Sequence, residues 1–369
     1  YSASNKDFVG EEVDDIDELF EVNEFSESNY AYIIDSQDYN IPAVTYDLLN
    51  NEVFTSASFK PFTIQTSTGT KSFNYGSLII PLSVQKKLNS DELYEKMKSI
   101  QKKYDINIYS VESGLSSSGV DLGSGSVMPL NKPSAMMLIG TGVRSYEAGE
   151  VWHLLDQRVG MPITKVPMRN FDNISMDKYN VLVLVSGNYK FSDNQIEKIK
   201  TWAENGNTII SIGSGSKLLI DKKIVDENLL EKEESNAMNY LAYGDARENR
   251  GKEQIGGVIL NSIIDLSHPL AFGYENNTLP LYKNNSIWLK PSKNNYSSVV
   301  RYSENSLIDG FLSENNKSKI KESVSLVVSR VGRGIAVMFA DNPNFRGAWY
   351  GTNRLFLNAI FLGDKIYIP

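Results

Sequence analysis

The stretch 135–160, AMMLIGTGVRSYEAGEVWHLLDQRVG, constrains the fold of this chain more than any other. The apolar run 135–139 reads as a buried strand. A glycine turn follows at 140–144, and then a helical pattern places Val151, Leu154, Leu155 and Val159 on one face at spacings of three and four. A strand that turns through glycines into a helix is the first half of a βαβ unit. In an open α/β sheet that turn lies at the carboxyl edge of the strands, where ligands bind. The class is therefore α/β, and Gly140, Thr141, Gly142, Arg144 and Ser145 are the first residues to consider as ligand contacts.

The same alternation continues downstream. Residues 163–167 read as a short strand, and 181–185 as a buried strand ending at Ser186-Gly187. Ser192 and Gln195 form a capping box ahead of a helix that buries Ile196, Ile199 and Trp202, and Asn205-Gly206 stops it. Residues 208–212 form the next strand, ending in Gly213-Ser214-Gly215-Ser216. Alternating strands and helices imply a parallel sheet with helices on both faces. Residues 221–310, rich in Asn, Ser, Tyr and charge, interrupt the pattern as an irregular, partly β insertion. Strands return at 323–328 and 335–340, joined by a Gly332-Arg333-Gly334 hairpin. A polar turn at 341–344 then leads to a helix burying Leu355, Leu357, Ile360 and Phe361.

Upstream, 29–133 reads as a first α/β unit. It has a strand at 30–34, a polar turn at 35–40, and a helix opened by Pro42 that runs through Leu48-Leu49. Extended segments at 53–64 follow, then a buried strand at 75–82. An amphipathic helix at 90–103 turns Leu93, Met97 and Ile100 inward, and 106–111 is the next strand. The Gly/Ser-rich stretch 113–133 is expected to be a connector. YIIDSQDYNIPAVTYDLLNN and MLIGTGVRSYEAGEVWHLLDQ share a strand, a polar turn, a helix and a Leu-Leu pair, so the two units read as a tandem of related layers. Residues 1–28 are an acidic run whose spacing does not match a calcium-binding EF-hand loop. It reads as a solvated linker, with Leu19, Phe20 and Phe25 available to pin it. The chain begins at Tyr1 without an initiator Met or signal peptide, so a fragment of something longer is expected.

Composition removes several functions. The net charge of −8 argues against a general nucleic-acid surface. No apolar run approaches the ~20 residues that span a bilayer. With no cysteine, disulfides, thiolate nucleophiles and Cys-ligated zinc are excluded.

Two constellations could carry chemistry. His153-Leu-Leu-Asp156 has the spacing of a zinc-binding pair, and His268 is the only other histidine. Against this site, Asp is one methylene shorter than the Glu of the carboxypeptidase pattern, and i,i+3 pairs are ordinary helix-surface neighbours. The other constellation is 211–219, SIGSGSKLL, a tight strand-to-helix turn of the kind that holds the nucleophile of class I glutamine amidotransferases. Aligned on its leucines, Gly213 stands where that nucleophile belongs. Ser214 is offered by a shift of one residue, but no histidine precedes the last helix to activate it. That place holds Asp341-Asn342-Pro343-Asn344, and Trp349 follows it. With 20 Tyr, 15 Phe and 4 Trp, the aromatic supply suits a site for a small molecule, peptide or sugar. A ligand is expected at the shared strand edge of Gly140, Ser186, Gly187, Gly213, Ser214, Asp341, Asn342 and Trp349.

Four segments together, GTGVRSYEAGEVWHLLDQR, NTIISIGSGSKLL, IGGVILNSIIDLSHPLAFGY and GRGIAVMFADNPNFRGAWYGTNRLFLNAIFLG, resemble the C-terminal region of large secreted bacterial zinc carboxypeptidase-like proteins. The likeness covers roughly residues 30 to 363. It implies tandem flavodoxin-like, class I glutamine amidotransferase-like three-layer αβα domains: 29–133, and 134–369 with the insertion at about 221–310. It further implies a secreted or periplasmic parent whose zinc and catalytic residues lie in a peptidase domain outside this chain, with that domain as partner and no cofactor here. Neither the parent's zinc ligands nor the amidotransferase triad can be carried onto this sequence, since no H-x-x-E occurs in it and Gly213 replaces the nucleophile.

Overall fold

The computed structural model describes residues 22–230 and 242–369. Its first unit comprises β1 (Ala31–Ile34), α1 (Ile41–Asn50), β2 (Ser56–Ser58), β3 (Phe62–Thr66), β4 (Gly69–Phe73), β5 (Leu78–Pro81), α2 (Ser90–Tyr104), β6 (Ile108–Val111), β7 (Ser118–Gly119) and β8 (Val127–Pro129). Pro42 opens α1 as expected, and an Asn89–Glu92 capping box starts α2. Asp47 on α1 ties the two helices together. Burial alone would raise its pKa, but hydrogen bonds from Lys103, Lys96 and Tyr104 hold the carboxyl down at about 2.

The sheet of this unit differs from a doubly wound one. Its order is β6-β1-β5-β2-β8, and every pairing is antiparallel. β1 and the α1 that follows it do resemble the second unit's opening, but β1 has no parallel neighbour. β3, β4 and β7 form a separate small sheet on the far side. The 113–133 connector also contributes β8, a sheet edge three residues long. The described part of the acidic segment is docked rather than solvated. Asn23 hydrogen-bonds to Ile108, Ser28 to Val111, and Phe25 packs edge-on against Tyr32 and Tyr94. Leu19 and Phe20 lie outside the described residues.

The second unit contains β9 (Ala135–Ile139), α3 (Ser145–Trp152), β10 (Thr164–Pro167), β11 (Val181–Leu184), α4 (Asp193–Glu204), β12 (Thr208–Ile212) and α5 (Ser214–Asp221). It continues with α6 (Ala246–Lys252), β13 (Val258–Ile264), β14 (Thr278–Lys283), β15 (Ser298–Gly310), α7 (Glu314–Lys321), β16 (Val324–Val331), β17 (Gly334–Phe339) and α8 (Asn353–Leu362). Nine strands form one sheet in the order β10-β9-β11-β12-β17-β16-β15-β13-β14. The first five are parallel. Numbered by their own sequence order they run 2-1-3-4-5, the flavodoxin-like arrangement. The insertion extends this sheet: β13, β14 and β15 are antiparallel and join it through β16.

Strand periodicity divides the core. Ala135, Met137, Val183 and Ile210 face α3 and α8, whereas Met136, Leu138, Leu182 and Ile209 face α4 and α5. This gives three layers, with helices covering both faces of buried parallel strands, as such strands require. The α3–α8 layer also packs on α1 of the first unit, so the two units share a continuous core. α8 is the centre of this contact: apart from Arg354, every residue of it is buried. Arg354 donates across the junction to the carbonyls of Ser36 and Asp38. The helix that begins as α3 widens into a π-helix at His153–Val159. The apolar pattern cannot reveal this widening, because Val151, Leu154, Leu155 and Val159 are buried in either geometry.

Candidate functional site

The order in which strands are added to the parallel sheet reverses between β9 and β11, and the loops after these two strands flank the usual ligand crevice. Here the loops close on each other. Val143 pairs with Gly187 as an isolated bridge, the Arg144 N–H donates to Ser186 O at 2.9 Å, and the Asn188 N–H donates to Gly142 O at 2.7 Å. The glycines are what allow this approach. A Cβ on Gly142, where φ is +87°, would lie 2.6 Å from Asn188 O, and one on Gly187 would lie 2.8 Å from Gly142 O. The turn residues are brought together as expected. Gly140, Gly142, Ser186 and Gly187, however, close the crevice instead of lining an opening, and Thr141 sits exposed at the tip.

The nucleophile-like turn is also filled. Gly213 follows β12 with φ 55° and ψ −118°, a sharp bend into α5. A Cβ added there would overlap the Ser186 hydroxyl. The Ser214 hydroxyl accepts from Gly187 N–H at 2.8 Å and donates to Gly187 O at 3.1 Å, and neither histidine hydrogen-bonds to it. Gly213 and Ser214 thus do join Ser186 and Gly187, but as a packed junction.

Asp341 is withdrawn from the strand edge. Its carboxylate is buried beneath the loop, where it accepts from Lys283 Nζ at 2.9 Å, Tyr302 OH at 2.6 Å and Ser325 Oγ at 2.7 Å. Lys283 is fully buried and also lies 4.5 Å from the Trp288 ring centroid. Burial pushes the Lys283 pKa down, against the pull of Asp341; burial and that same carboxylate push Tyr302 well up. Local patterning could not disclose this network, because its members come from three strands and the turn after a fourth, spread over some 60 residues. Trp349 donates its indole N–H to Pro280 O and leans on Tyr282, so it supports the neighbouring wall.

The zinc candidates do not converge. His153 is exposed near Gly347, and the Asp156 carboxylate accepts from the Gln157 amide. His268 is mostly buried elsewhere, its Nδ1 accepting from Leu270 N–H at 3.2 Å to cap the short turn Pro269–Ala271. Among the described residues no three His, Cys, Asp or Glu stand where they could hold a metal. Burial pushes His268 down to about 4 from 6.5, only partly offset by Asp265. The unfolded chain therefore binds a proton that the folded chain refuses between these values. Stability should fall as the pH drops from about 6.5 to about 4, by about 1.4 kcal/mol per unit and up to about 3 kcal/mol. Urea titrations of the wild type and His268→Gln at pH 7 and pH 4 should show a smaller acid loss in the variant.

The open site lies beside this junction. A cleft of ≈ 810 Å³ runs between the first turns of α3 and the loop 342–347, with Asn284 at one end. Of the residues expected at a ligand edge, Arg144, Ser145 and Asn342 line it, and His153 is at its rim. Glu147, Glu150, Tyr146, Phe345 and Arg346 were not foreseen. The available signal was Glu147-x-x-Glu150-x-x-His153, a stripe at helical spacing whose upstream acids the downstream His153–Asp156 pair obscured.

Both acids are built into the walls. Glu147 is only 8% exposed; it accepts from Ser186 N–H at 2.8 Å and lies 3.4 Å from Arg144. Glu150 accepts from the Asn342 amide and, at 2.6 Å, from Arg346 N–H. Burial raises its pKa, and these two donors oppose the rise. Arg346 takes φ 53°, ψ 16°, a left-handed conformation that costs a non-glycine residue about 1 kcal/mol or more. The Glu150 carboxylate holds that turn in place. Phe345 stacks on Tyr282 with ring centroids 3.9 Å apart.

No family model and no curated protein match this chain. Among solved structures it is similar to PurLQS from Thermotoga maritima, at 16% identity over 61% of this chain and 96% of that one, with a TM-score of 0.40. It is also similar to a ThuA-like protein from Parabacteroides merdae (12% identity, 63% and 90% of the two chains, TM-score 0.42) and to one from Bacteroides uniformis (11%, 61% and 89%, 0.38). At these scores the fold assignment rests on the sheet itself, whose five parallel strands in the order 2-1-3-4-5 are flavodoxin-like.

Proposed function

We propose that this chain is a non-catalytic ligand-binding region, the accessory part of a secreted zinc carboxypeptidase-like protein whose chemistry resides in a separate peptidase domain. The observation that carries the non-catalytic part is the turn at Gly213. Its backbone bends as a nucleophile turn would, but the space for a side chain belongs to the Ser186 hydroxyl, and Ser214 beside it is hydrogen-bonded in both directions to Gly187. A nucleophile without an oriented base is not a catalyst. The binding part is supported by the cleft beside α3, which combines charged side chains with aromatic rings and is large enough for a small molecule. The link to the peptidase parent, the secreted location and the absence of a resident cofactor rest on the sequence resemblance.

The purified chain, assayed with glutamine and with peptide substrates, should show no turnover above background, and Ser214→Ala should change nothing. Turnover abolished by that substitution would defeat this reading. A thermal-shift screen of sugars, peptides and small acids should find a stabilising class. A ligand at 100 times its Kd should add about 2.7 kcal/mol.

A further inference from the structure

The charges lining the cleft are unequally committed. Both carboxylates are engaged by the chain itself: Glu147 by Ser186 N–H and Arg144, Glu150 by the Asn342 amide and Arg346 N–H. The Arg346 guanidinium makes no hydrogen bond or ion pair among the described residues and lies over the Phe345 ring, 5.2 Å from its centroid. Arg144 has one long contact, 3.4 Å to Glu147, and 61% of its side chain is exposed. Acids spent on the walls and cations left open give the cleft a preference opposite in sign to the net charge of −8. Screening confines the effect of remote charges to about 8–10 Å, so the nearby guanidiniums dominate.

We propose that this cleft takes a small anionic ligand with a planar or apolar body. A carboxylate or phosphate group would meet Arg346 and Arg144, and the body would rest on Phe345 and on Tyr146, which is 85% exposed at the rim. The guanidinium fork matches both kinds of anion through paired N–H donors. The strained turn at Arg346, fixed by Glu150 through the backbone N–H, sets the residue's backbone at the cleft before any ligand arrives. This inference rests on the ligand-binding reading above and specifies its ligand.

The test is calorimetric titration of the whole chain with phenyl phosphate, benzoate and neutral benzamide, with inorganic phosphate as a fourth arm. At least one aromatic anion should bind about tenfold more tightly than benzamide, and more tightly than inorganic phosphate. Comparing the two aromatic anions decides between phosphate and carboxylate. Arg346→Gln and Arg144→Gln, both at exposed side chains, should each weaken that anion about tenfold. Their melting temperatures should stay unchanged, which separates lost contact from lost fold. Equal binding of benzamide, or anion binding indifferent to both substitutions, would overturn the inference. Neutral sugars or peptides binding in its place would leave the ligand-binding reading standing. No binding by any of these probes would remove both.

Discussion

Replacing Lys283 with alanine is expected to cost about 3–5 kcal/mol of stability, because it strands a buried carboxylate. Asp341 is buried, and its remaining partners, Tyr302 and Ser325, supply hydroxyls but no charge. The measurement is urea denaturation of Lys283→Ala beside the paired variant Lys283→Met/Asp341→Leu. The pair removes both charges and should recover most of the loss, since an apolar replacement of a buried ion pair is often neutral. The comparison isolates the penalty of the stranded charge from the loss of packing. Lys98→Ala, which breaks an exposed pair with Glu95, should leave the transition unmoved. If Lys283→Ala lost no more than about 1 kcal/mol, the network would not hold β14 against the end of β17 as described.

The second large effect is expected at Gly213. Gly213→Ala should destabilise the chain by about 2–4 kcal/mol, combining backbone strain at φ 55°, ψ −118° with overlap against Ser186 Oγ. Ser186→Ala in the same chain should return the overlap share and leave the strain. Its Cβ stands 3.6 Å from the added methyl, an ordinary contact. A double-mutant cycle should therefore show coupling of about 1–2 kcal/mol. Strict additivity would mean that the Ser186 hydroxyl does not occupy the turn, and the argument against a nucleophile there would lose its main support.

How far the sequence reaches can be judged element by element. β9, β11 and β12 were legible to within a residue because strands buried on both faces are continuous apolar runs. The α4 capping box was legible because its two hydrogen bonds join residues three apart. The antiparallel pairing of the first unit was not, since Ala31–Ile34 carries the same apolar run whichever way its neighbours point. β8 was missed because three residues in a Gly/Ser-rich stretch become a strand only through their bonds to β2. Arg144, Ser145 and Asn342, named among the strand-edge ligand candidates, line the cleft beside that edge. Asp341 looked the same as Asn342 in the sequence, yet only Asn342 lines the cleft, because the fold brings Lys283 beneath the Asp341 carboxylate.

The sequence by itself determined the strand-turn-helix units of residues 135–212, the capped start of α4 and the exclusion of cysteine chemistry. All of these follow from contacts within a few residues or from composition. The tertiary structure alone decided three further matters. The crevice at the sheet's switch point is closed by its own loops, the nucleophile-like turn is filled by Ser186, and the open cleft lies instead between α3 and the loop after β17. Each depends on atoms brought within about 3 Å from segments 27 to about 200 residues apart, such as Gly187 with Ser214 and Glu150 with Arg346. Local propensity carries no term for such encounters, and these encounters determine where a ligand can enter.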